Sequence, residues 1–253
     1  MQLNQVKALV TGGVSGLGLA TVKYILDNGG QAVMLDVNDE AGAAAEAETG
    51  ARYIKTDVTS EEKVIESVRQ ASGIMGGLNA AVNCAGIIGA GRVLGREAPM
   101  PLSLFSTTIN INLVGSFNVA KAAADRMQHN EPGEDGEKGV IINTASVAAY
   151  EGQIGQAAYS ASKAGLVGMT LPMARELSRF GIRVMTIAPG IFWTPMVDGM
   201  PEHIQESLSA SIPFPSRLGQ PEEFAELAGN ILQSSYMNGT TIRLDGAVRL
   251  AAK

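Results

Sequence analysis

The stretch VKALVTGGVSGLGLATVKYILDNGGQAVMLDV, residues 6–37, decides the fold. It opens on a short apolar run that ends in glycine, VKALVTG (6–12). Helical spacing follows through GLGLATVKYILDNG (16–29), and a second apolar run, QAVMLDV (31–37), closes it. Both apolar runs are continuous rather than alternating, the mark of strands covered on both faces by helices. A strand, a helix and a strand in about thirty residues make a βαβ unit with a right-handed crossover. Between the first strand and the helix lies TGGVSGLG (11–18), with Gly12, Gly16 and Gly18 in the spacing G-x-x-x-G-x-G. Glycines there let the backbone turn tightly and approach a pyrophosphate, while the helix N-terminus offers free N–H groups. Ser15 adds a hydroxyl, and Leu17 sits within the same turn. Asp36 ends the second strand, where a carboxylate accepts ribose hydroxyls and repels a 2′-phosphate. The loop has no Arg or Lys and Val37 follows the acid, so the expected cofactor is NAD rather than NADP. The other reading of Asp36, a helix N-cap, is better met by Asn38 or Asp39.

The alternation continues outward from this unit. Helical spacing covers about 39–48, 61–75, 103–128, 156–179 and 221–234. Apolar runs stand at 51–58, 78–86, 139–147, 182–190 and 240–247. The pattern predicts an α/β, single-domain, doubly wound (Rossmann) fold with a central parallel sheet of about seven strands. No linker divides residues 1–253, and HNEPGEDGEKG (129–139) reads as a solvated surface loop.

Composition narrows the function classes. The 253 residues are 45% hydrophobic and carry a formal net charge of −6 with no block of Lys and Arg, which argues against nucleic acid as a partner. No apolar run is long enough to cross a membrane. The apolar pattern starts within the first ten residues, so no targeting segment is expected, and Cys84 as the single cysteine fits a reducing cytoplasm. One cysteine and two scattered histidines argue against a metal site.

QAAYSASKAG (156–165) sets Tyr159 and Lys163 one turn apart on a helix face, among small residues. Alone, that spacing also fits any exposed amphipathic pair. It stands, however, in an ordered series: TGGVSGLG, DV at 57–58, NCAG at 83–86, IN at 111–112, Ser146, YSASK at 159–163 and PG at 189–190. Together these resemble the short-chain dehydrogenase/reductase family over nearly the whole chain. The resemblance implies that Asp57 and Val58 flank an adenine, and that Asn83, Cys84, Ala85 and Gly86 line the cofactor cleft. It also implies that Pro189, Gly190, Phe192 and Thr194 serve the nicotinamide end. Cys84 stands where the family usually keeps a second Asn. Longer segments, among them GVIINTASVAAYEGQIGQAAYSASKAG and PFPSRLGQPEEFAEL, resemble the type II 3-hydroxyacyl-CoA dehydrogenase branch, some of whose members also oxidise hydroxysteroids. That branch implies an acyl-CoA substrate, and the family implies a homotetramer.

Oxidising an alcohol requires a base for the hydroxyl proton. Free tyrosine titrates near 10, and bringing it to about 7 takes roughly 4 kcal/mol, about what a unit charge at ~4 Å supplies at a dielectric near 20. Lys163 is expected to be that charge, with Tyr159 the base and Ser146 holding the substrate oxygen. By resemblance Asn112 holds a water that leads from Lys163 to solvent; otherwise it is a helix residue bonded to backbone. Gln153, Gln156 and Trp193 are candidate substrate contacts, Trp193 in a lid at about 191–216, where packing on the core is an equal reading. Arg92 and Arg96 lie in an extra loop and are placed either to meet CoA phosphates or to be solvated; His129 and His203 read as exposed and uninvolved. The alternatives are a hydroxysteroid dehydrogenase, a 3-oxoacyl carrier-protein reductase and, from another class, a cofactor-binding interaction protein.

Overall fold

The computed structural model describes residues 1–194, 197 and 202–252, with Ile204 by its backbone alone. Among them the strands are β1 (Lys7–Thr11), β2 (Gln31–Asp36), β3 (Arg52–Lys55), β4 (Ala80–Asn83), β5 (Gly139–Thr144), β6 (Ile182–Pro189) and β7 (Thr241–Leu244). They form one parallel sheet in the order β3-β2-β1-β4-β5-β6-β7. Chain order reverses between β1 and β4, which opens a crevice beyond the strand C-termini.

The sheet is buried on both sides because neighbouring strand residues face opposite layers. Val10, Met34 and Ile142 pack against α1 (Gly16–Asp27) and α8 (Pro221–Gln233) through Val22, Ile25, Phe224 and Ile231. Leu9, Val33 and Ile141 pack against α3 (Glu61–Met75) and α5 (Gly115–Met127) through Val64, Val68, Val119 and Met127. Asn38, not Asp36, caps α2 (Asp39–Thr49) by accepting from the Ala41 N–H.

Three features depart from the sequence reading. The long helix expected at 103–128 is α4 (Leu102–Ile109), a π-helical turn (Asn110–Val114) and α5. The wider turn brings Asn112 inside. Helix α6 (Ala157–Leu177) follows expectation, whereas α7 (Glu202–Ala210), inside the expected lid, was not read. Positions 195, 196 and 198–201 of that lid lie outside the described residues. Finally, the acidic loop before β5 is not wholly solvated. Glu137 is 8% exposed and pairs at 2.7 Å with Arg183, itself 7% exposed. A guanidinium at the start of a buried strand needs a counter-charge, and the loop supplies it.

Candidate active site

The glycine loop is built for close backbone approach. Gly12 has φ +62, and a Cβ there would stand 2.8 Å from the Ala85 nitrogen; a Cβ on Gly18 would stand 2.2 Å from the Gly12 carbonyl oxygen. Gly16 also has positive φ, at 49°. Ser15 takes the N-cap position of α1, yet its side chain makes no capping bond. Its hydroxyl and the first-turn N–H groups from Gly16 to Gly18 are therefore left for a ligand. Thr11 holds loop and β4 together: its Oγ1 accepts from the Cys84 and Ala85 N–H groups, both at 3.2 Å.

Along the same edge, Asp36 accepts from the Asn38 N–H with Oδ1 at 3.0 Å, and its other oxygen has no partner among the described residues. Asp57 caps its own turn through the Thr59 N–H and hydroxyl, and buried Val58 packs over Gly115. Asn83 is buried and donates to Asn143 Oδ1 and the Ser116 carbonyl, a structural post beneath the cleft. A cradle that no side chain can enter, free N-terminal donors and a half-free carboxylate together fit a dinucleotide.

At the ends of β5 and α6 the structure gathers Ser146, Tyr159 and Lys163. Lys163 is 5% exposed. Its Nζ donates to the Thr144 carbonyl at 2.7 Å and lies 5.7 Å from the centroid of the Tyr159 ring. Burial lowers the ammonium to about 8, with Cys84 acting the other way. Burial raises the Tyr159 hydroxyl, and its hydrogen bond with Ser146 pulls it back. The expectation that the lysine charge governs Tyr159 is thus corrected: in this chain desolvation dominates, and Ser146 is the opposing group.

Asn112 is fully buried. Its amide accepts from the Ile87 N–H and donates to the Ile87 carbonyl, both at 2.8 Å, and to Ser162 Oγ at 3.0 Å. It ties the loop after β4 to α6. A Cβ on Gly86 would fall 3.1 Å from Asn112 Oδ1, a tight contact, and 3.5 Å from Lys163 Nζ, an ordinary one, so the glycine lets the two side chains come close. The Cys84 sulfur accepts from the Thr144 hydroxyl, and burial pushes the thiol up to about 11.

The substrate side is more dispersed. Gln153 and Gln156 bond each other, and the Gln153 amide also donates to the Ala251 carbonyl at 3.2 Å. Pro189 pairs in register with Leu244, and Gly190 donates to the Leu244 carbonyl. The Phe192 ring is buried against Gly219. Half-buried Thr194 accepts from the Val197 N–H at 2.9 Å. Trp193 packs with Val197, Ile212 and Leu218, and also walls an open pocket of about 500 Å³ with Glu202, Glu206 and Ser216, so both readings of it hold in part. That pocket contains none of Ser146, Tyr159 and Lys163. Arg92 and Arg96 are exposed on a small hairpin pinned by Gly95 to Ala98, and neither has an ion-pair partner among the described residues. His129 and His203 are exposed.

Sequence reasoning passed over Thr11, Thr144 and Ser162. Ser162 was visible as a small residue of the YSASK segment; the other two carry no signal beyond their place at strand ends.

Comparison with known proteins agrees with this geometry. The family described as short chain dehydrogenase matches residues 6–205. The 3-hydroxyacyl-CoA dehydrogenase type-2 of Bos taurus is 49% identical over 247 residues, 96% of this chain and 95% of that protein. Ipsdienol dehydrogenase of Ips pini is 34% identical, over 95% of this chain and 96% of its own. The crystal structure of 3-hydroxyacyl-CoA dehydrogenase type-2 from Mycobacterium avium superposes with a TM-score of 0.95 at 43% identity, covering 100% of this chain and 99% of the other.

Proposed function

The chain belongs to the short-chain dehydrogenase family, and from that premise we propose that it oxidises the hydroxyl of a 3-hydroxyacyl-CoA to the 3-oxoacyl-CoA with NAD as cofactor. The observation that carries this reading is the convergence of Ser146, Tyr159 and Lys163 at the open edge of the sheet, with one oxygen of Asp36 left without a partner among the described residues at the end of β2. Relatives named for this activity support the substrate class.

In this reading Gly12, Ser15 and the first turn of α1 hold the pyrophosphate, and Asp36 takes the ribose hydroxyls. Bound there, NAD would supply the acceptor for the hydride of the carbinol carbon. Ser146 orients the substrate oxygen, and Tyr159 takes its proton. Lys163, charged below about pH 8, is held against β5 by the Thr144 carbonyl one helix turn from Tyr159, and Ser146 is the group that opposes desolvation of the Tyr159 hydroxyl. Asn112 acts as a positioning residue through Ile87 and Ser162. Arg92 and Arg96 are left free for CoA phosphates. The family resemblance extends the reading to a homotetramer, and Cys84 as the single cysteine fits a reducing cytoplasm.

A substrate panel tests it. We expect the highest kcat/KM with NAD and a short or branched 3-hydroxyacyl-CoA, a lower value with a CoA-free hydroxy substrate, and a narrower NAD preference in Asp36→Ala. Turnover only as an NADPH-dependent reductase, or none with any alcohol, would overturn the proposal.

A further inference from the structure

We infer that Arg243 and Glu151 form a positioning pair that fixes loop 150–156 and thereby sets the affinity for the alcohol substrate. This rests on the reading of the preceding subsection, in which that loop borders the substrate and leads into the helix of Tyr159.

The pair is a two-pronged contact: Arg243 Nη1 and Nη2 donate to the two oxygens of Glu151 at 2.8 and 3.0 Å. Nε of the same guanidinium donates to Asp245 at 2.7 Å, and its central carbon lies 5.2 Å from the Tyr150 ring centroid. Arg249 joins the same two carboxylates at 3.4 and 3.2 Å, so two cations balance two anions. Arg243 and Glu151 are each 24% exposed, covered enough for the fork geometry to persist against solvent.

Each residue that follows Glu151 is tethered in turn. Gly152 has no room for a side chain, because a Cβ would fall 2.1 Å from Oγ of Ser160, the neighbour of Tyr159. Gln153 and Ile154 donate to the carbonyls of Ala251 and Ala252. The Gly155 carbonyl accepts from Gly91 at 2.8 Å, which links the loop to the hairpin of Arg92 and Arg96. Gln156 then opens α6, one turn before Tyr159.

The other end of the pair holds the opposite side of the cleft. Asp245 leaves no space beside Gly190, whose Cβ would meet the Asp245 Cα at 2.8 Å. The Gly246 carbonyl accepts from Phe214 at 3.3 Å, and a Cβ on Gly246 would strike Ile212 at 2.6 Å. The turn after β7 thus joins the end of β6, the base of the expected lid and loop 150–156. Neither Arg243 nor Glu151 approaches Ser146, Tyr159 or Lys163 by any contact described, so their effect passes through position.

The test compares Arg243→Met, Arg243→Lys, Glu151→Gln and the Met/Gln double variant with the unmodified protein. Measured quantities are kcat, KM for the 3-hydroxyacyl-CoA, KM for NAD and Tm. We expect Arg243→Met and Glu151→Gln to raise KM for the acyl substrate by roughly 3- to 30-fold while KM for NAD stays within about twofold. Arg243→Lys should fall between, because an ammonium cannot reproduce the fork. The double variant should fall well short of the product of the two single effects, since both changes remove the shared Arg243–Glu151 contact while each also breaks contacts of its own. Unchanged acyl KM in folded variants, equal rises for both substrates, or additive effects would each overturn the inference. If Arg243→Met does not fold, the near-isosteric Glu151→Gln carries the test. If the unmodified protein turns over no hydroxy substrate, the functional reading fails and the pair is judged by hydrogen exchange: unchanged protection of the 150–156 amides in Glu151→Gln would refute it, and lost protection would support it.

Discussion

Tyr159 shows how far residue identity alone reaches. Its partner Lys163 was legible from the four-residue spacing, and Ser146 from its place at a strand end. The electrostatic balance was not, because burial depends on what the whole fold packs around the group. Tyr159→Phe keeps the ring and removes the proton acceptor. Its kcat should fall by at least about 10²-fold with Tm and NAD affinity unchanged, as read by initial rates and a binding titration. Lys163 carries a separate prediction. Burial lowers it from 10.5 to about 8, so between those values the unfolded chain binds a proton that the folded chain has released. Stability from this group is therefore present above 10.5 and lost as pH falls through about 8. Cys84, raised from 9.0 to about 11 by burial, runs the other way, so only a difference from wild type isolates the lysine. Lys163→Met should be more stable than wild type at pH 7 in the absence of cofactor, and the gap should close toward pH 10. Parallel denaturation curves at all pH values would show that burying this ammonium costs nothing.

Elements with an unbroken pattern were read to within a residue or two at their ends. Helix α3 spans Glu61–Met75, as its spacing predicts, since Ser60 caps one end and Gly76, in the left-handed region, stops the other. The π turn at 110–114 was not legible: it serves Asn112, whose partners at Ile87 and Ser162 are distant in sequence. Helix α7 was hidden because its first turn carries Glu and Gln within a stretch already assigned to a lid. Glycines in helices illustrate the same dependence on neighbours. In α1, Gly18→Ala would force a methyl against the Gly12 carbonyl, which is backbone and cannot swing aside. That substitution should cost about 1–3 kcal/mol and weaken NAD binding at least tenfold or so. In α3, a Cβ on Gly73 meets nothing within 4 Å, so Gly73→Ala should stabilise by roughly 0.5–1 kcal/mol. Chemical denaturation and NAD titration of the two variants separate a cradle glycine from a dispensable one; equal behaviour would contradict the close approach at Gly18.

At the scale of the molecule, a parallel sheet gives its two edges different work. All strand C-termini point to one edge, which collects the glycine loop, Asp36, Ser146 and the end of β6. The N-terminal edge collects what anchors the strands. There Arg183, the second residue of β6 and the register partner of Val140, is held by Glu137 and by the carbonyls of Met237 and Leu232. The doubly wound fold was legible as an order of periods, but this anchor was not: loop composition suggested solvation, and the partner that buries Glu137 lies 46 residues away. Glu137→Ala would leave a buried guanidinium without its counter-charge, a loss of about 3–5 kcal/mol. Glu137→Gln, which keeps an acceptor for Arg183, should lose less. Because the pair sits at the edge away from the site, both variants should keep the wild-type kcat/KM and KM for NAD at temperatures below their melting point. Urea unfolding and initial rates on the same preparations decide the matter. A fall in kcat/KM that tracks the lost stability would mean that the two edges are coupled, and the division of work between them would not stand.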